Sequence, residues 1–304
     1  MLNKRKVKSN FIKGSTGDLF ADGTINILMA IMICTAVYPI IYVLAVSLSS
    51  GIAVDRGDVF LFPVEFTIEA YRFLFKDMSF IIAFGNSLLY MFVGTLYNLY
   101  ISVTAAFVRA RKDFILTKYV NLMVIFTMWL GAGTIPTYMN YKSLNMSDSR
   151  IAMIVGFGLS AYNIILVRNY FENLPDEILE AAKIDGASES QILAKIFIPL
   201  SKPILATVAL FYALSRWNSW FWHSLLLKDE NKIPLQVLLR KLLSQSAENP
   251  DSTQNEIIEI AKGSASFTTI QHAVMLFAIV PVILVYPYVQ KHFTKGIMLG
   301  GVKS

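Results

Sequence analysis

Residues 180–203 read Glu180-AAKIDGASESQILAKIFIPLSK-Pro203 and lie between two strongly apolar runs. The stretch is polar and punctuated. Pro175 suits a first helical position, and Asp176 and Glu177 favour the positive end of a helix. Ile178, Leu179, Ala181 and Ala182 give that helix a short apolar face of small residues. Gly186 can end it in a left-handed conformation. Ser188, with Gln191 three residues on, reads as a capping box that starts a second helix. Pro199 and Pro203 then break the chain before the next apolar run. The spacing predicts a helix-turn-helix lying along a membrane surface.

The membrane follows from composition. Of 304 residues, 55% are hydrophobic and only 16% charged, with a mean hydropathy of +0.53. Soluble domains carry about a quarter charged residues. The single cysteine, Cys34, lies within an apolar run and excludes a disulfide framework. The net charge of +6 is spread over loops without an aromatic-basic platform, so nucleic acid is not an expected partner.

Six apolar spans are expected, at about 24–50, 80–108, 116–138, 151–171, 204–227 and 270–289. The first is too long for a signal peptide. Gly131, Gly133 and Pro136 break the third near its end, and the Gly156-Phe157-Gly158 and Gly131-Ala132-Gly133 groups suit close helix approach. The fold class is all-α, a polytopic membrane protein with a surface helix-turn-helix at 172–203. The chain divides into a polar segment 1–23, a membrane domain 24–293 and a tail 294–304. Loop charge sets the orientation. Segments 1–20, 109–118, 168–202 and 290–304 hold 16 Lys and Arg, against 10 in 51–79, 139–150 and 228–269. Both termini and the hairpin are therefore expected in the cytoplasm. The hairpin segment 168–202 is itself net negative by two charges, which suits a basic protein partner better than anionic lipid. Beyond the fifth span, Leu235, Leu238, Leu239 and Leu242 recur at helical spacing and predict an amphipathic helix outside the membrane, against a partner or on the lipid interface.

Glu180-Ala181-Ala182, then Gly186, then nine residues, then Ile196-Phe197-Ile198-Pro199, resembles the EAA loop of permease subunits in ABC importers. Ile198 stands where that family more often has Leu. The six spans, the Phe211-Tyr212-Ala213 and Trp217-Asn218-Ser219-Trp220-Phe221 groups, and the tail from Tyr286 to Gly296 are similar to the second permease of carbohydrate-type, maltose- and oligosaccharide-transporter-like importers. The resemblance implies the type I importer permease fold in a bacterial plasma membrane. It implies a heterodimer with a second homologous permease, two ATPase subunits, an extracellular solute-binding protein and a sugar substrate. It assigns Glu180, Ala181, Ala182, Asp185, Gly186 and Ala187 to a coupling helix seated in a groove of the ATPase. It also implies a non-catalytic chain without a cofactor of its own, ATP and Mg being handled by the partner subunits. No G-x-x-x-x-G-K-[ST] loop is present, and His223, His272 and His292 form no close pair; each reads as an interfacial imidazole.

Arg216 lies at membrane depth beside Trp217, Asn218 and Trp220. A buried charge must face an interior or a watery cavity. Either it lines the translocation pathway with Trp217, Asn218 and Trp220 and attracts a polar or anionic sugar, or it pairs with a carboxylate or with helix carbonyls. Two rival functions stand beside the importer. A stand-alone channel or secondary transporter is disfavoured by few ionisable groups in the spans and no internal repeat. A membrane enzyme is disfavoured by the lack of a convergent His/Asp/Glu set.

Overall fold

The computed structural model describes residues 16–111, 116–248 and 265–297, with side chains at 22–111, 116–244 and 265–285. The basic residues at positions 4–13, Lys112 and the tail 298–304 lie outside the described residues, and the side chains of the motif at 286–296 are not described. Every regular element among the described residues is helical.

Helix α1 (Thr16–Ser47) runs along the periphery: it packs chiefly on the last helix, shares a small core cluster with the short α2 (Gly51–Asp55) that follows it, and places Ser47 Oγ 2.7 Å from Tyr71 Oη. None of its most apolar window is buried within the chain, as expected of a helix that faces lipid or another subunit. Helix α3 (Glu69–Lys76) leads into α4 (Met78–Ala110), the 33-residue axis of the bundle. Asp77 caps α4 by accepting from the Ser79 amide.

The third expected span is two helices, α5 (Thr117–Trp129) and α6 (Thr134–Ser143), bent by 115°. Gly131 and Gly133 lie at that bend, and among the described residues nothing is within 4 Å of a side chain built on either. The fourth expected span is likewise broken, into α7 (Arg150–Val155) and α8 (Ala161–Glu172). Gly156 and Gly158 sit in that break against other side chains: an added Cβ would meet the Tyr141 hydroxyl at 2.1 Å and Arg216 Nε at 2.6 Å.

The hairpin follows as α9 (Asp176–Ile184), then α10 (Glu189–Ile192), a π-helical turn (Leu193–Phe197) and α11 (Ile198–Leu200). Helicity persists through Pro199, directly after the widened turn. The chain breaks at Ser201, where it swings by 86° into α12 (Lys202–Trp217), with Pro203 in the first turn.

Short helix α13 (Phe221–Leu226) precedes α14 (Leu235–Glu248), and α15 (Phe267–Ile297) completes the described chain. The amphipathic α14 turns its leucine face to the chain itself. Leu235 is fully buried, and Leu235, Leu238, Leu239 and Leu242 pack into the chain's own core beside α4 and α15. Among the described residues, three helices are long and apolar enough alone to cross a membrane, and up to five if each bent pair is one span.

Three layers of core lie along α4. At the hairpin end, Phe197 meets Phe107 and Phe171 edge-on around Ala106, Val167 and Ile192. At the other end, Phe80 and Phe84 pack on Trp217 and Phe277. Beside them, Tyr90, Met153 and Leu226 close a third cluster.

Candidate functional site

The hairpin is built as its residue types dictate. Asp176 and Glu177 occupy the first turn of α9. At its far end the Gly186 amide donates to Lys183 O (3.1 Å) and the Ala187 amide to Ala182 O (3.0 Å), a Schellman closure. Gly186 takes φ +75° there, the conformation that favours glycine. Ser188 Oγ accepts from the Gln191 amide and Gln191 Oε1 accepts from the Ser188 amide at 2.9 Å, completing the capping box.

Ile192 and Phe197 are buried and seat the hairpin on α4, α8 and α12. Each fully buried side chain of this size contributes about 1.5–3 kcal/mol. Arg111 pairs with Glu189, tying the end of α4 to the start of α10. Arg168 pairs with Glu172 at 2.6 Å. Glu180 borders an open cleft of about 330 Å³ whose walls include Arg111, Glu172 and Lys183 over Phe197.

The six hairpin residues singled out by sequence do not share one face. Glu180, Ala181, Asp185 and Gly186 are exposed, and Ala187 is half-buried. Ala182 is 8% exposed and packs into the chain's own core, so its small size fits the helix onto the bundle. Sequence reasoning passed over Ile184, which is 86% exposed at the tip of α9. Its signal was an apolar residue displaced from the inward face, directly before the turn glycine.

At the middle of the bundle the break in the fourth span forms a second site. Where α7 ends, the carbonyls of its last turn lose their helical partners. Arg216, 4% exposed, supplies the replacement. Its Nη2 donates to Ile154 O (2.7 Å) and to Asn98 Oδ1 (3.1 Å), and its Nη1 donates to Met153 O. A cation at a helix C-terminus also complements the macrodipole. Gly94 and Gly158 let the guanidinium in: a Cβ on either would lie 2.9 Å or 2.6 Å from Arg216 Nε. Gly158 has φ +109°.

Tyr212, one turn earlier on α12, holds the other side of the break. Its hydroxyl lies 2.6 Å from Ser102 Oγ on α4 and accepts from the Ser160 amide at 3.3 Å, where Ser160 caps α8. Between the two anchorages Phe157 is stacked between Tyr141 and Trp222, with centroids 4.5 and 4.7 Å away.

The residues that sequence grouped around Arg216 scatter. Trp217 is 2% exposed and donates from Nε1 to Ala278 O at 2.8 Å. Asn218 is exposed where α12 ends. Trp220 is half-buried, with the Arg240 guanidinium 3.7 Å above its ring. His223 is not interfacial: it is 1% exposed, lies beside Tyr90, and has Nδ1 3.2 Å from Ser219 Oγ.

At the end opposite the hairpin, polar groups lash the loop after α13 to α4 and to the start of α7. Asn86 Nδ2 donates to the Asn231 and Ile233 carbonyls, and Tyr90 Oη to the Lys232 carbonyl. Asp148 accepts from Lys232 Nζ (2.8 Å) and from the Lys228 and Asp229 amides. The hydrogen bond from Lys232, with the two amides, holds the Asp148 carboxyl down at about 2. Lys232 is raised in turn, first by its hydrogen bond to Asp148.

A depressed carboxylate contributes stability above its unfolded value of about 3.9, lost as pH falls through its folded value. A raised lysine contributes stability below its unfolded value, lost as pH rises through its folded one. The lashing is therefore expected to be constant from about pH 5 to 9 and to weaken below about pH 4. Hydrogen-exchange protection factors of the Lys228 and Asp229 amides, followed against pH, measure it. Asp148→Asn should lower their protection at pH 7 and show no acid limb between pH 4 and 2; an acid limb equal to wild type would count against this assignment.

Similarity to known proteins runs through both sites. A family described as "Binding-protein-dependent transport system inner membrane component" matches residues 78–298. The polygalacturonan/rhamnogalacturonan transport system permease protein YtcP of Bacillus subtilis (strain 168) is 38% identical over 279 residues, 91% of this chain and 96% of that protein. Protein LplC of the same organism is 37% identical over 271 residues, 88% and 90% of the two chains. In a crystal structure of a bacterial ABC transporter involved in the import of the acidic polysaccharide alginate, one chain superposes with a TM-score of 0.87 at 39% identity, over 92% of this chain and 99% of that one.

Proposed function

The chain belongs to the family of binding-protein-dependent transport system inner membrane components, and from that premise we propose that it carries an oligosaccharide across a bacterial plasma membrane, with acidic, uronate-containing oligosaccharides the first class to test. It is a membrane-spanning, non-catalytic permease subunit of an ABC transport system. The observation that carries the substrate class is that a relative at 38% identity and a solved chain at 39% are both named for polysaccharides, polygalacturonan and alginate. A stand-alone channel or secondary transporter is not favoured.

In this reading residues 24–293 form the permease domain, with six crossings of which the third, fourth and fifth are bent or broken. Both termini and the hairpin 172–203 face the cytoplasm. Loop charge carries that sidedness, and two links support the grouping of the loops: Arg111–Glu189 joins two segments assigned to one side, and Asp148–Lys232 joins two assigned to the other. The permease pairs with a second, homologous permease. Two ATPase subunits dock below, one on this hairpin, and a solute-binding protein delivers sugar from outside. Glu180 offers the charge, Ala181, Asp185 and Gly186 the close-fitting surface, and Ile184 an apolar anchor for the ATPase groove. ATP and Mg are bound by those partners. Arg216 and Trp217 shape the pathway wall from within, while Asn218 and Trp220 stand nearer its outer end.

Mild-detergent purification from the native membrane is expected to bring down an ATPase subunit and a second permease. Cells are expected to take up trigalacturonate at least about tenfold faster than a strain lacking this chain, as expected of a chain that carries the pathway itself. Maltotriose serves as the neutral comparison. Recovery of the chain alone, or uptake that needs an ion gradient and no ATP, would overturn the importer reading. Faster uptake of maltotriose than of trigalacturonate would overturn the acidic class.

A further inference from the structure

Arg216 and Tyr212 sit one turn apart on α12, so both project from the same face. One holds the C-terminal carbonyls of α7 and the other the capping residue of α8. Between them lie only Gly156 to Ser160, the part of the fourth span that belongs to neither of its two helices. Helix α12 is also the helix that leaves the hairpin directly, turning at Ser201. Val155 and Leu159, on either side of the break, are exposed on the surface of the single chain.

We propose that Tyr212 and Arg216 are positioning residues that form a two-point clasp, by which movement of the hairpin is passed through α12 to the break in the fourth span, where it displaces Val155 and Leu159. The proposal rests on the permease reading above. Non-helical backbone is tolerated at membrane depth where protein encloses it or where it lines a cavity, and here the enclosing groups come from the helix attached to the coupling element. The clasp is stiff on both sides. Arg216 makes three hydrogen bonds within a cradle of Gly94 and Gly158, and Tyr212 is braced by Ser102 on α4. The guanidinium is closed in by these glycines and Asn98, so its role is to hold backbone and not sugar. Removing one anchorage should release the break from α12, by a factor of about five or more in the equilibrium.

The test uses the assembled complex in inside-out and right-side-out vesicles, with Cys34→Ser as background and Leu159→Cys as reporter. The rate of labelling by a membrane-impermeant maleimide is compared between nucleotide-free and ADP-vanadate-trapped states. With the clasp intact, the rate should change by about fivefold or more on trapping. Tyr212→Phe, which removes one oxygen, and Arg216→Met should each bring the two states to within about twofold, while Arg216→Lys should keep part of the change because a cation still reaches the carbonyls. If Arg216→Met does not assemble, Tyr212→Phe decides alone. An unchanged nucleotide response in Tyr212→Phe, or no response with the clasp intact, overturns the proposal. Failure to trap any nucleotide in the intact complex overturns the permease reading itself.

Discussion

Glu180→Ala combined with Gly186→Pro is expected to strip the ATPase from the purified complex while leaving the paired permease in place. Glu180 and Gly186 are both exposed, so neither change removes a packed side chain. The seat of the hairpin depends instead on Ala182, Ile192 and Phe197, which remain. Proline fixes φ near −65°, whereas residue 186 takes +75°, so the turn after α9 cannot close as it does now. The Gly186 amide also donates to Lys183 O, and proline has no amide to offer. Removing one charge from an interfacial pair costs about 2–5 kcal/mol, which corresponds to at least about a thirtyfold loss of affinity. The measurement is the ratio of ATPase to this chain after mild-detergent purification. A ratio equal to wild type would remove the hairpin from the docking surface.

Gly158→Val should be the most damaging single change in the membrane interior. A left-handed-side φ of +109° penalises any side chain there, by about 1–3 kcal/mol. The added Cβ would lie 2.6 Å from Arg216 Nε and 2.9 Å from Asn98 Nδ2. Arg216 cannot swing away without releasing the Met153 and Ile154 carbonyls, and hydrogen bonds to charged groups contribute about 1.5–3 kcal/mol each. The sum is about 4–9 kcal/mol, enough to unfold a marginally stable domain. Gly131→Val is the control, since nothing lies within 4 Å of that site. The expected result is loss of monodisperse complex on size exclusion for Gly158→Val and retention for Gly131→Val. Equal behaviour of the two would show that the cradle is slack.

The hairpin was legible because its signals are local. Ser188 and Gln191, and Gly186 after α9, find their partners within five residues, so residue type and spacing suffice. The break in the fourth span was not legible in the same way. Gly156 and Gly158 announced a close approach, but the approaching group is Arg216, some sixty residues on. A backbone carbonyl has no residue identity, so nothing in the sequence marks Met153 and Ile154 as its partners. The need for Arg216 to be satisfied was readable from its depth; its acceptors were not. Periodicity likewise found α14 but could not tell the face of a membrane from the face of α4. His223 failed for a related reason: position near a span end suggests water, and the packing of Tyr90 removes it.

The broken fourth span also bears on how the chain is made. A helix of about 20 apolar residues can enter the bilayer from the translocon by its own hydrophobicity. Helices α7 and α8 have six and twelve residues and cannot do so separately. Synthesis runs from the N-terminus, so the Met153 and Ile154 carbonyls leave the ribosome 63 and 62 residues ahead of the arginine that takes them. In hydrocarbon such groups cannot wait unpaired. The backbone at the break therefore gains its full set of partners only once α12 has been made, and α7 cannot reach its final arrangement before then.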